Sequence, residues 1–290
     1  MSVASTRQSL PRSRDRLLMR GSGPRVSPFC LGATRDARTV LAAYEAGINF
    51  FFLSGDLHWP LYEATRRGIA ELLASKKARR EDIVVCVASY LDEPLFSVLQ
   101  FQEVIDSVPG LERVDVLVAG AVSKEHGFLP RVHALARARS GGHVGSRAIG
   151  ASFHQRPYAL LAANANLLDI SFVRYNTGHP GARQDLFPFL HPHRTGLVFN
   201  FKSTMSYVSP RRCQELGLRE GLHWLPSVPD YYRFALSRPQ LDGLLISPST
   251  PEEVESLLAA LDKGPLRPQE EEYMISLATA AHGAHRVMGW

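Results

Sequence analysis

The side chains best suited to chemistry gather in a few short segments. SGDLHWPLY (54–62) brings together Asp56, His58, Trp59 and Tyr62, and Ser89 with Tyr90 follows in the next apolar stretch. Further along stand His154 with Arg156, then Arg174, Tyr175, Asn176 and His179, and then Lys202, Ser203 and Thr204. Asp56, His58 and His154 have the composition of a facial metal triad of two histidines and a carboxylate. Alternatively, His58 or His154 is a general acid or base that Asp56 orients, since imidazole titrates near neutrality. In a third reading both histidines cap loops by bonding to backbone. No HxH or HxxxH spacing in these segments strengthens the metal reading. His191 and His193, in LHPHR, have that spacing but read as surface residues. Lys202 is a base or Schiff-base former if desolvated; otherwise it pairs with an acid or reaches out to solvent. Arg174 is either an anion clamp for a carboxylate or phosphate or the partner of Asp169 or Asp185.

Short apolar runs must position these groups: Pro28–Leu31, Ile48–Leu53, Ile83–Ala88, Val114–Ala119, Ala148–Phe153, Asp169–Val173, Leu197–Phe201 and Gly243–Ile246. Most are almost continuously hydrophobic, the pattern of strands buried on both faces. Helical patterns separate them: 36–46, 60–77 with a proline in its first turn, Pro94–Val108, Lys124–Arg139, Arg156–Asn166 and Pro251–Leu261. A further helix is expected over 268–286. Eight strands with intervening helices imply a parallel sheet with right-handed crossovers, and the count favours a closed (β/α)8 TIM barrel. A doubly wound sheet is the alternative, but no GxGxxG follows the first strand. In a barrel the candidate groups fall just beyond the strands, on the C-terminal face where active sites form.

Composition narrows the function classes. The formal charge is +5, and residues 1–26 supply all of it, with six arginines (7, 12, 14, 16, 20 and 25) against Asp15 alone. The rest of the chain is near neutral, so no basic nucleic-acid face is indicated. Residues 1–16 read as a flexible basic tail and 17–290 as one domain, a common size for such barrels. Three cysteines are too few and too scattered for a disulfide framework or a zinc knuckle. No apolar stretch is long enough to span a membrane. A cytoplasmic protein with a small-molecule ligand is the expectation.

The segments RLLMRGSGPRVSPFCLGAT (16–34), AAYEAGINFFFLS (42–54), REDIVVCVAS (80–89), RAIGAS (147–152), VRYN (173–176) and YRFALSRPQLDGLLISPSTPEEVE (232–255) run in the order of the aldo/keto reductases. The chain resembles that family over most of its length. The resemblance implies a (β/α)8 barrel opened by an N-terminal hairpin, with an extra C-terminal helix. It also implies a reductase tetrad of Asp, Tyr, Lys and His, in which the Tyr protonates a carbonyl as hydride arrives. The matching positions here are Phe52, Leu57, Ala88 and Gly120, none of which ionises. Of the family's nicotinamide partners Ser152 is kept, but the Asn position is Phe153 and the Gln position is Phe172. The lysine expected beyond the eighth strand is Pro248. Ser249 and Thr250, ahead of Pro251, still offer a helix N-terminus to a phosphate. NADP is therefore disfavoured as cofactor. Phe52, Phe153 and Phe172 suggest a dry pocket for a partly apolar ligand, with Trp59, Tyr62, Tyr90, Arg174 and Asn176 as contacts and Asp56, His58, His154 and Lys202 as reactive groups. The expectation is a barrel turned to non-hydride chemistry or binding of a small organic molecule. A residual NAD(P)H-dependent oxidoreductase and a non-catalytic binding protein are the alternatives.

Overall fold

A computed structural model describes residues 7–21, 23–56, 58–93, 96–122 and 125–283. Leu57, and Pro94, Lys124 and residues 284–286 at the limits of expected helices, lie outside them. Eight parallel strands close into a barrel. They are β1 (Phe29–Leu31), β2 (Phe50–Ser54), β3 (Val84–Ser89), β4 (Val116–Val122), β5 (Ala148–Phe153), β6 (Ile170–Arg174), β7 (Leu197–Phe201) and β8 (Gly243–Ile246). Each pairs with its sequence neighbours, and β8 closes the ring on β1 through Leu244↔Phe29, Leu245↔Cys30 and Ile246↔Leu31. A two-residue antiparallel hairpin, Leu17–Leu18 with Arg25–Val26, precedes the barrel.

Helices α1 (Arg38–Glu45), α2 (Glu63–Ala74), α3 (Leu99–Ser107), α4 (Glu125–Ser140) and α5 (Arg156–Asn164) fill the expected crossovers. The expected helix at 60–77 begins instead as a 3-10 turn, Trp59–Tyr62, before α2. Beyond β6 and β7 come three helices that periodicity does not reveal: α6 (Ala182–Asp185), α7 (Pro210–Glu215) and α8 (Val228–Leu236). The first two are short. In α8, residues Asp230–Leu236 are all buried, so no polar stripe marks it. Then α9 (Pro251–Leu261) and α10 (Pro268–His282) complete the chain.

The strands are buried on both faces, which is why they read as unbroken apolar runs. Aromatic rings fill the barrel axis. Phe50 meets Phe199 edge-on at 5.8 Å, Phe172 meets Phe199 at 6.1 Å, and Phe52 meets Phe172 at 5.5 Å. Such edge-to-face pairs add about 0.5–1.5 kcal/mol each beyond their burial. At the N-terminal rim, fully buried Asp115 accepts from Arg80 (2.7 Å), Arg147 (2.8 Å), Arg113 (3.2 Å) and the Val85 amide (2.9 Å), tying β3 to β4. Residues 7–16, expected as a flexible tail, lie along the same rim. The Arg7 amide donates to Ser237 O (2.9 Å), Ser13 Oγ donates to Ala46 O (2.6 Å), and Leu10 packs on the core. Among the described residues, no helix is long and apolar enough to cross a membrane.

Candidate functional site

Two groups of side chains stand at the C-terminal rim, separated by the aromatic axis. The first follows β2 and β3. The Asp56 carboxylate accepts from Ser89 Oγ (3.1 Å) and from the Tyr90 amide (2.7 Å), which anchors the end of β3. His58 packs edge-on to Tyr90, with centroids 4.8 Å apart. Tyr90 lies over Gly120: a Cβ there would come within 2.6 Å of the ring, so the ring occupies the room that a side chain at this β4 position would need. Burial, then the charge of Asp56, push the Tyr90 hydroxyl up to about 12. Tyr62, buried 5.9 Å from Phe52, is raised as well, first by burial and then by Tyr90. Both phenols are neutral hydrogen-bond donors at pH 7. Trp59 is partly withdrawn from the site, because the Arg66 guanidinium covers its ring at 3.4 Å.

The second group follows β5, β6 and β7. His154, Arg156, Arg174, His179, Arg183 and Ile275 help to line a cavity of about 1000 Å³. Arg174 ends β6 with 9% of its surface exposed, and its Nε and Nη1 have no hydrogen-bond partner. The two acids offered to it by the sequence are engaged elsewhere. Asp169 binds Arg139 at 2.8 Å, and Asp185 binds Arg156 through two bonds of 2.5 and 2.7 Å. His154 stands edge-on to Phe201 at 5.5 Å, and burial, then Lys202 and Arg174, lower its pKa to about 4. Burial and then Arg174 also lower Lys202. Lys202 holds φ of +58°, the left-handed region that few non-glycine residues adopt. Asn176 braces it there, donating to Lys202 O at 2.9 Å.

The geometry revises several expectations. Among the described residues no group of three His, Cys, Asp or Glu side chains is placed to hold a metal ion, so Asp56, His58 and His154 form no triad. The reason is topological: His58 follows β2 while His154 follows β5, three strands round the barrel. Asn176, expected to meet substrate, is fully buried; its Oδ1 accepts from Gly178 N (3.0 Å) and Ser206 Oγ (2.9 Å). It positions Lys202 instead. Arg183 and the α10 residues Glu272 and Ile275, which line the cavity, were not singled out from sequence. Long-range packing alone brings α10 there.

The positions matching the dinucleotide site fit that cofactor poorly. Ser152 Oγ accepts from the Ala121 amide at 2.7 Å. Phe153 packs against Phe128 of α4 at 5.5 Å, and Phe172 is held between Phe52 and Phe199. Neither phenyl ring can bond a carboxamide. At the start of α9 the Ser249 amide donates to the Glu253 carboxylate at 2.7 Å, and a hydrogen bond from Thr250 lowers the Glu252 carboxyl. Two carboxylates at this N-terminus oppose a phosphate there. Of the positions that the sequence resemblance aligns with the tetrad, Phe52 and Ala88 are buried in the core, Gly120 is overlaid by Tyr90, and Leu57 lies outside the described residues.

No family model and no curated protein matches the chain. Solved structures do. MGS-M4, an aldo-keto reductase enzyme from a Medee basin deep-sea metagenome library, superposes with a TM-score of 0.65 at 15% identity, covering 91% of this chain and 94% of its own. A thermostable aldo-keto reductase solved with the inhibitor epalrestat gives 0.65 at 15% identity, covering 91% of this chain and 99% of its own. The order of hairpin, barrel and helices together with these superpositions shows that the chain has the aldo-keto reductase fold.

Proposed function

We propose that this barrel binds, and acts on, a small, partly apolar organic molecule at its C-terminal mouth without hydride transfer. The observation that carries the reading is the aromatic floor: Phe52 and Phe172 contact each other at 5.5 Å where the family resemblance calls for an acid and an amide. Above that floor, His154 is the group suited to hydrogen bonding or proton exchange with a ligand. At pH 7 its lowered pKa keeps the imidazole neutral, with one nitrogen free to accept and the other to donate. Tyr62 and Tyr90 add neutral phenolic donors from the other side. Asp56 acts through the end of β3, since its carboxylate holds Ser89 and the Tyr90 amide.

Fluorescence titration with NADPH and NADH tests the reading, with a thermal-shift screen of small aromatic compounds alongside. No saturable cofactor binding at about millimolar concentration is expected, against stabilisation by some aromatic compounds. Saturable NADPH binding, followed by its oxidation when an aldehyde is added, would overturn the proposal in favour of a nicotinamide-dependent oxidoreductase. The retained Ser152 is the residue that favours this second reading.

A further inference from the structure

We propose that Arg174 is the receptor for an oxyanion, a carboxylate or phosphate group of the ligand, with Lys202 as second cation and His154 as hydrogen-bonding partner. This rests on the mouth being a small-molecule site, and it specifies the ligand's chemistry. A guanidinium keeps its charge at any physiological pH, so burial cannot be relieved by losing a proton. Buried charges are ordinarily paired, because an unpaired one forfeits its hydration without return. The neighbouring arginines obey that rule. Arg156 is clamped by Asp185 and Arg183 by Glu271 and Glu272; at the opposite end of β6, Arg139 is paired with Asp169. Arg174 is as buried as a core residue, yet its Nε and Nη1 meet no acceptor, and it opens on the cavity.

The surroundings carry the same sign. After burial, which is the larger cause in both, Lys202 and Arg174 lower His154, and Arg174 lowers Lys202. Arg156, although paired, adds to the depression of Arg174. An anion between these groups would oppose all three shifts, offsetting the cationic neighbours that add to burial. Guanidinium donors lie in a plane that matches the paired oxygens of a carboxylate or phosphate. Pro157, Pro180 and Ile275 leave apolar wall in the cavity for the rest of the molecule. A volume of about 1000 Å³ is at the upper end of the range for small-molecule sites.

Calorimetric titration of the full chain with benzoate, phenyl phosphate and neutral benzyl alcohol tests the inference. At least one anion should bind. Benzoate alone would identify a carboxylate site; phenyl phosphate alone would identify a phosphate site. Arg174→Met should weaken binding at least about thirtyfold. Arg174→Met should also raise the melting temperature of the free protein, because it removes an unpaired buried charge, whereas a structural arginine would lower it. Arg174→Lys, which keeps the charge but not the planar fork, should bind with intermediate affinity if the methionine variant fails to fold. In the wild type, saturating anion should raise the His154 midpoint, followed by NMR and assigned with His154→Gln, by at least about one pH unit. Failure of both anions to bind at tens of millimolar, or unchanged anion affinity in Arg174→Met and Arg174→Lys, would overturn the inference. Binding of benzyl alcohol but neither anion would do so while leaving the small-molecule reading intact. NADPH oxidation would remove that reading without touching the anion result.

Discussion

Arg174, the last residue of β6, and Asn176, two positions on, illustrate how differently polar residues are used at this rim. Asn176 has both ends of its amide satisfied by protein, at Lys202 O, Gly178 N and Ser206 Oγ. Arg174 has two buried nitrogens with no acceptor at all. Between β5 and β7, His154 records the resulting excess of positive charge, since Lys202 and Arg174 add to burial in holding its pKa near 4 instead of 6.5. The folded-state pKa is lowered, so between pH 6.5 and 4 the unfolded chain takes up a proton that the folded chain refuses. Stability is therefore complete above that window and declines as pH falls through it. Water around this half-buried ring limits the loss to on the order of 1 kcal/mol. Urea unfolding at about pH 7 and about pH 4.5 should show the decline, and His154→Gln should reduce it. An identical pH dependence in the variant would show that the ring is hydrated and unperturbed.

At the scale of elements, the β3 and β4 ends depend on one another. Asp56 caps β3, Tyr90 turns its ring over Gly120 of β4, and Arg131 from α4 donates to both Ser89 O and Gly120 O at 2.9 Å. An added methyl at Gly120 would meet Cδ1, Cε1 and Cγ of Tyr90 at 2.6–2.9 Å. Gly120→Ala should accordingly cost about 1–3 kcal/mol by overpacking and shift the Tyr90 ring relative to His58. Denaturant unfolding and the Tyr90 ring resonances check this; a neutral substitution would mean that the ring moves aside freely. Helix starts show a related dependence on context. The proline at position 60 promised a helix from its first turn, but the 3-10 turn Trp59–Tyr62 intervenes. Arg66 fixes this turn, bonding Trp59 O at 2.6 Å and covering its ring.

Across the whole molecule, α10 joins the site to the barrel wall. Glu271, 1% exposed, pairs with Arg183 of α6 at 2.8 Å and with Arg238 just beyond α8, while Glu272 and Ile275 line the cavity. Arg183 also donates to the Tyr175 hydroxyl at 2.8 Å, next to Arg174 in sequence. Glu271→Ala leaves two largely buried guanidinium groups short of a partner and should cost about 3–5 kcal/mol. If α10 also shapes the cavity, anion affinity should fall along with the melting temperature; a large loss of stability with unaltered affinity would limit α10 to a structural role.

The residue pattern by itself determined the barrel. Strands shielded on both faces must be apolar throughout, so all eight are legible as hydrophobic runs, with Ala148–Phe153, Leu197–Phe201 and Gly243–Ile246 bounded as expected. Helix α8, buried along most of its length, left no such trace. The reactive residue types, and their place beyond the strand ends, were also legible. Their partnerships were decided by tertiary structure alone, because charge pairing acts between groups far apart in sequence. Only the folded chain gives Asp185 to Arg156, Asp169 to Arg139 and Asp56 to the end of β3, and leaves Arg174, which lines a cavity, with two buried donors unmet.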